Sequence, residues 1–117
     1  MEKEGIPQEQ IDTVISFLSI GKFQEALEKT SILNQKYPDE PKLSNINGAC
    51  YQGLGQFETA AEHYKQAISI NPNYYKAHYN LGGVLHELGR LDLSIKSFES
   101  ALSLKPDYAE AYNNIGN

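Results

Sequence analysis

Apolar residues in this chain recur at helical spacing, in short blocks separated by glycine or proline. Leu81, Gly82, Leu85 and Leu88 step by one, three and three residues, which places them on one face of a helix. Gly89-Arg90 interrupts that pattern, as a glycine just past a helix end does by tolerating positive φ. A second helix is predicted next, with Leu91, Ser94, Ile95, Phe98, Ala101, Leu102 and Leu104 on its buried side. Lys105-Pro106-Asp107 ends it, because proline cannot continue a helix and restricts the residue before it.

The whole pattern repeats. Proline falls at 38, 72 and 106, and glycine at 21, 55 and 89, each series stepping by 34 residues. Phe23, Phe57 and Leu91 follow two residues after the glycines. Ala26, Ala60 and Ser94 come three later, and Leu33, Ala67 and Ala101 seven after those. The second unit carries Gly48, Tyr51, Leu54, Tyr64 and Ile68 in the same register, and the first carries Val14, Phe17, Ile20 and Leu27. Residues 1–6 are therefore expected to form an N-terminal segment. Residues 7–117 are expected to form one array, divided 7–40, 41–74 and 75–108 with a partial unit 109–117. One helical hairpin cannot bury its apolar face alone, so such units stack and bury it against each other. The partial unit is shorter than an isolated helix needs in water. The chain is accordingly expected to be a piece of a longer array, prone to self-association through its uncapped C-terminal end.

Composition narrows the function classes. The chain has 117 residues, of which 40% are hydrophobic and 21% charged, which is globular rather than disordered. Its net charge of −5 argues against nucleic acid as a partner, since a phosphate backbone calls for clustered Lys and Arg. No apolar run is long enough to span a membrane, and Met1-Glu2-Lys3-Glu4-Gly5 lacks the apolar stretch of a secretion signal. A single cysteine, Cys50, excludes an internal disulfide and fits a reducing compartment, so a cytoplasmic location is expected.

No catalytic constellation is visible, and no metal or cofactor is expected. His78 and His86 lie eight residues apart, about 80° around a helix, with no third ligand beside them. His86-Glu87 lacks the second histidine of a zinc-hydrolase helix, and Gly53-Leu54-Gly55 and Gly82-Gly83 lack the Lys-Ser/Thr of a phosphate loop. Cys50 reads as a small packing residue.

These residues resemble the tetratricopeptide-repeat (TPR) family, whose pattern places Leu-Gly, Tyr, Ala, an aromatic, Ala and Pro over 34 residues. The third unit supplies Leu81-Gly82, Phe98, Ala101 and Pro106, and the second Gly48, Tyr51, Ala60, Tyr64, Ala67 and Pro72. A fourth opens with Tyr112-Asn113-Asn114-Ile115-Gly116. The first unit departs, with Val14 at the glycine position and Thr30 at the aromatic one. The resemblance implies an all-α, right-handed superhelix of stacked hairpins, three full repeats plus a partial fourth. It also implies a non-catalytic scaffold that binds a protein or peptide segment in a concave groove.

In that family the first helix of each repeat lines the groove. Carried over position by position, the first unit contributes Ile11, Asp12, Ile15 and Leu18, beside Gln8 and Ser19. The second contributes Lys42, Asn45, Ile46 and Ala49, beside Gln52 and Gly53. The third contributes Lys76, Tyr79, Asn80, Gly83, His86 and Glu87, and the fourth Asn113 and Asn114. One end of this groove is apolar and the other polar. The apolar end could anchor a peptide, lie covered by the chain's own N-terminus, or join two copies into a homo-oligomer. The family's chaperone-binding members hold a terminal carboxylate with Lys, Asn and Arg; here those positions carry Ile11, Ile15, Ile46, Lys76 and Asn80, so the clamp is absent. Asn80 and Asn114 are similar to the asparagine row of protein O-glycosyltransferase arrays. That similarity implies an alternative, the substrate-recruiting arm of a larger glycosyl- or sulfotransferase-type enzyme. A self-assembling structural module is the third reading.

Overall fold

A computed structural model describes residues 5–108, and every regular element among them is an α-helix. The helices are α1 (Gln8–Ser19), α2 (Phe23–Lys36), α3 (Pro41–Gly53), α4 (Phe57–Ile70), α5 (Tyr75–Glu87) and α6 (Leu91–Leu104). Each odd helix ends at a glycine in the left-handed region, with φ of 79°, 78° and 77° at Gly21, Gly55 and Gly89. That conformation lets the next residue's N–H reach back and satisfy a carbonyl of the last turn: Lys22 to Phe17 at 2.8 Å, Gln56 to Tyr51 at 2.9 Å and Arg90 to Leu85 at 2.9 Å. The chain reverses there, and α2, α4 and α6 run back along their partners. Each is closed by a C-cap residue that directly precedes a proline, Tyr37, Asn71 and Lys105.

Inside a hairpin the two helices meet where one side chain is missing. A methyl group added to Gly48 would sit 2.5 Å from the Tyr64 ring, and one on Gly82 would sit 2.8 Å from the Phe98 ring. The aromatic of the second helix thus lies directly on the backbone of the first. The first hairpin inverts this arrangement: Val14 occupies the glycine position, Thr30 the aromatic one, and both are 1% exposed. Bulk has moved from one helix to the other, so the departure from the repeat pattern still leaves a closed core. Thr30 makes use of its hydroxyl, which lies 2.5 Å from Oδ1 of the buried Asn47. Ser94, at a small-residue position, is also buried, and its hydroxyl donates to the Gly82 carbonyl at 2.7 Å.

Each helix packs on its sequence neighbours. In addition α3 touches both α1 and α5, whereas no comparable packing joins α2 to α4 or α4 to α6 among the described residues. The odd helices are therefore drawn together and the even ones spread apart, which curves the stack and makes α1, α3 and α5 its concave wall. The molecule is an oblong of 41 × 33 × 21 Å. The apolar core runs through it in two clusters, one around Ile11, Val14, Ala26, Leu43, Ile46 and Cys50, the other around Ala60, Ala61, Tyr64, Leu81, Val84 and Leu85.

The expected buried side of α6 needs correction. Ser94, Phe98 and Ala101 are buried, but Leu91, Ile95 and Leu104 are exposed, as is Leu93. The reason is positional. Ala61, which matches Ile95 one repeat earlier, is buried because α5 lies over it; no described helix lies over the corresponding side of α6.

Candidate functional site

The first turns of α1, α3 and α5 come together at one end of the concave wall and enclose a cavity of about 340 Å³, lined by Gln8, Ile11, Ile15, Lys42, Asn45, Ile46, Tyr74 and Lys76. Helix periodicity explains the grouping. Gln8, Ile11 and Ile15 are spaced three and four apart on α1, and Lys42, Asn45 and Ile46 three and one apart on α3, so each set forms one face. Seven of the eight are groove residues of the sequence reading. Tyr74 is the one that reading missed. It precedes α5 as its N-cap residue, and the 34-residue step that places Tyr108 at the matching position of the next unit was the available signal.

The apolar floor is not an open patch. Ile11 is 4% exposed and Ile46 7%, whereas Ile15 is 42% exposed. Ile11 and Ile46 belong to the first core cluster, and Ile6 from the N-terminal segment packs against that cluster together with the half-buried Leu18. The expectation of a broad exposed stripe is corrected accordingly: Ile15 presents the apolar surface, and Ile11 and Ile46 support it from below.

Polar groups edge the cavity. Lys42 and Lys76 are exposed on its rim, and neither is ion-paired with another described residue. Asn45 is central: its Oδ1 accepts from Asn80 Nδ2 at 3.0 Å, and its side chain lines the cavity beside Tyr74. Burial first, and the Glu40 carboxylate second, raise the Tyr74 phenol above its ordinary pKa, against the smaller opposing pull of the Asn45 amide. The phenol is thus neutral at neutral pH. The nearby carboxylates are already engaged. Glu40 caps α3 by accepting from the Lys42 N–H at 3.2 Å, and Asp12, exposed on α1, accepts from Gln8 Nε2 at 2.9 Å.

Farther along the wall the surface changes character. Tyr79 packs between Phe98 and Tyr108, with ring centroids 5.4 and 5.0 Å away, and Tyr108 meets Tyr75 edge-on at 5.3 Å. Lys105 lies over the Tyr75 ring at 5.0 Å. Ala49 is half-buried, His86 and Glu87 are exposed, and a methyl group added to Gly83 would meet open space. Asn80 does not present a free amide, since one N–H is given to Asn45. Asn113 and Asn114 lie outside the described residues. Two positions of the sequence reading turn away from the hollow: Gln52 accepts from the Tyr64 hydroxyl at 2.7 Å, and Gly53 faces the Phe23 ring. Both belong to the last turn of α3, where the chain swings toward the even helices.

The chemistry-bearing residues are dispersed. His78 Nε2 is tied to the Pro72 carbonyl at 2.9 Å, and His63 stacks on Tyr51 at 5.1 Å on the opposite side of α3. The Cys50 thiol is buried, and desolvation lifts its pKa to about 11, so it is protonated and a poor nucleophile. Among the described residues no three His, Cys, Asp or Glu side chains gather as metal ligands, and no helix is long and apolar enough to cross a membrane.

Comparison with known proteins agrees with this architecture. Among solved structures, the first TPR of Spaghetti (RPAP3), bound to the HSP90 peptide SRMEEVD, superposes with a TM-score of 0.86 at 25% identity, over 92% of this chain and 86% of that one. The first TPR domain of the human RPAP3 protein superposes with a TM-score of 0.87 at 25% identity, over 91% and 84%. A crystal structure of MamA gives 0.84 at 25% identity and covers 93% of this chain but 64% of MamA, so the chain spans less than two thirds of that structure. No curated protein matches the sequence significantly. A family model described as TPR repeat matches residues 49–89 and again 82–117, more than half of the sequence. Six helices in paired antiparallel order, the left-handed glycine after each odd helix and that match identify the chain as a member of the TPR family, an all-α solenoid of three repeats and part of a fourth.

Proposed function

We propose that this chain is a non-catalytic interaction scaffold whose array, residues 7–117, holds a peptide segment of a protein partner along the concave wall of α1, α3 and α5. The observation that carries this reading is the cavity of about 340 Å³ at the meeting of three helix starts, with aliphatic, amide and ammonium groups on one surface. A peptide presents the same three chemistries in an extended backbone and its side chains. Family membership supports the reading, as does the acidic peptide bound by the Spaghetti domain. A single cysteine, which leaves no internal disulfide to form, fits a reducing compartment such as the cytoplasm. The experiment is a pull-down with the whole chain beside Lys76→Ala/Asn80→Ala: partners retained by the first and lost by the second support the groove. Equal retention by both removes it.

A second reading, self-association, is favoured by the exposed Leu91, Leu93, Ile95 and Leu104 of α6. Leu91 and Ile95, four residues apart, share one flank of α6 and Leu93 and Leu104 the other, and exposed apolar surface marks interaction sites.

A further inference from the structure

Resting on that groove reading, we infer that the cavity at the starts of α1, α3 and α5 selects an internal peptide segment in which an aliphatic side chain is followed closely by a carboxylate side chain. Two halves of the cavity dictate this. On the α1 side the only well-exposed apolar group is Ile15, backed by the buried Ile11 and Ile46. That half offers a shallow aliphatic seat at Ile15, and the α1 amide on the cavity, Gln8, gives an N–H to Asp12, so a polar side chain placed over Ile15 would lose its water for little return. On the other half Lys42 and Lys76 stand on neighbouring helices, each the second residue of its helix, and neither faces an ion-pair partner among the described residues. The start of α5, which no side chain caps, adds its partial positive charge in the same place, whereas Glu40 already caps the start of α3. Asp12 lies on α1, bonded to Gln8, away from that cationic half. Two ammonium groups outnumber the one Glu40 carboxylate on the α3–α5 side, while Asp12 stands on the α1 side, so a ligand carboxylate is drawn to the α3–α5 side, which sets the direction of the segment across the wall.

The shape of the site favours a segment that passes through rather than a chain end. Both lysines are exposed on a rim, not sunk in a closed pocket. The wall continues past Asn80 to the open space at Gly83, so residues on either side of the anchored pair have somewhere to lie. The Asn80–Asn45 hydrogen bond ties α5 to α3 at the boundary between the two halves before any ligand arrives.

The test uses the whole chain and two displayed random-peptide libraries, one with the peptide internal between flexible linkers and one with a free C-terminus. Selected sequences are synthesised and titrated by fluorescence anisotropy. The expected result is enrichment of aliphatic-then-acidic pairs from the internal library, with affinity unchanged when the synthetic C-terminus is amidated. Ile15→Asp and Lys42→Glu/Lys76→Glu should each weaken binding about tenfold or more, and the second pair should also flatten the salt dependence. Circular dichroism confirms that the variants fold; Ile15→Ser serves if Ile15→Asp does not. Binders that require a free C-terminus, that lack the acidic residue, or that bind Ile15→Asp and Lys42→Glu/Lys76→Glu as well as wild type overturn this selectivity while leaving a peptide-binding groove standing. Failure of both libraries to yield any binder overturns the groove reading and this inference together.

Discussion

Gly48 and Gly82 are glycines because an aromatic ring occupies the space a side chain would need. Gly82→Ala should therefore destabilise the fold by about 1–3 kcal/mol through overpacking, although alanine is the better helix former; a urea titration reads this directly. Ala67→Leu and Ala101→Leu, at fully buried positions, should lose a similar amount. His63 supplies a pH effect. Its Nδ1 is buried with no hydrogen-bond partner, and desolvation lowers its pKa against the weaker opposing influence of Glu62. The folded chain thus takes up this proton less readily than the unfolded one, whose histidine titrates near its usual 6.5. The stabilisation is complete above that value, declines as pH falls through it, and levels off below the lowered folded pKa. The urea midpoint should drop between pH 7.5 and 5.5 in wild type and change less in His63→Phe, which keeps the stack on Tyr51. An equal drop in both would assign the effect to other groups.

At the scale of elements, the first hairpin differs from the others in where its bulk sits. Thr30→Tyr alone would drive a ring toward Val14 and should cost about 1–3 kcal/mol. Val14→Gly in the same chain restores the arrangement of the other hairpins, so the double variant should be less destabilised than the two single effects added together. A double-mutant cycle in urea measures that coupling. The two isoleucines of α1 separate in the same way. Ile15→Lys should leave the helical signal intact, whereas Ile11→Lys places a charge in the core and should melt the first hairpin. Helices and turns were readable from the sequence because Gly21, Gly55 and Gly89 and the prolines punctuate them locally. Which neighbour covers a helix face was not readable. Periodicity puts Ile11, Ile15 and Ile46 near one another, yet how deep each lies depends on Ile6, Leu18 and the curvature of the stack. The same limit explains Ile95, assigned to a buried side that nothing described covers, and Gln52, whose amide turns to Tyr64 across the hairpin. Tyr74 escaped notice because it belongs to a connection rather than to the face of a helix.

At the scale of the whole molecule, the exposed apolar residues of α6 and the cavity at the starts of α1, α3 and α5 are separate surfaces. Light scattering over a concentration range should show association beyond the monomer, and Leu93→Glu/Ile95→Glu should abolish it without affecting peptide capture at the α1–α3–α5 end. Loss of capture in that variant would tie the two surfaces together. The uneven packing of the stack has its own consequence. Because α3 touches α1 and α5 while the even helices do not pack on one another, the inner edge serves as the hinge line, and the outer edge opens and closes about it like the folds of a fan. A guest lying across all three inner helices would act as a clasp on that hinge line. Tethering it there would stiffen the fan as a unit, so melting should become sharper as well as later when the guest is present.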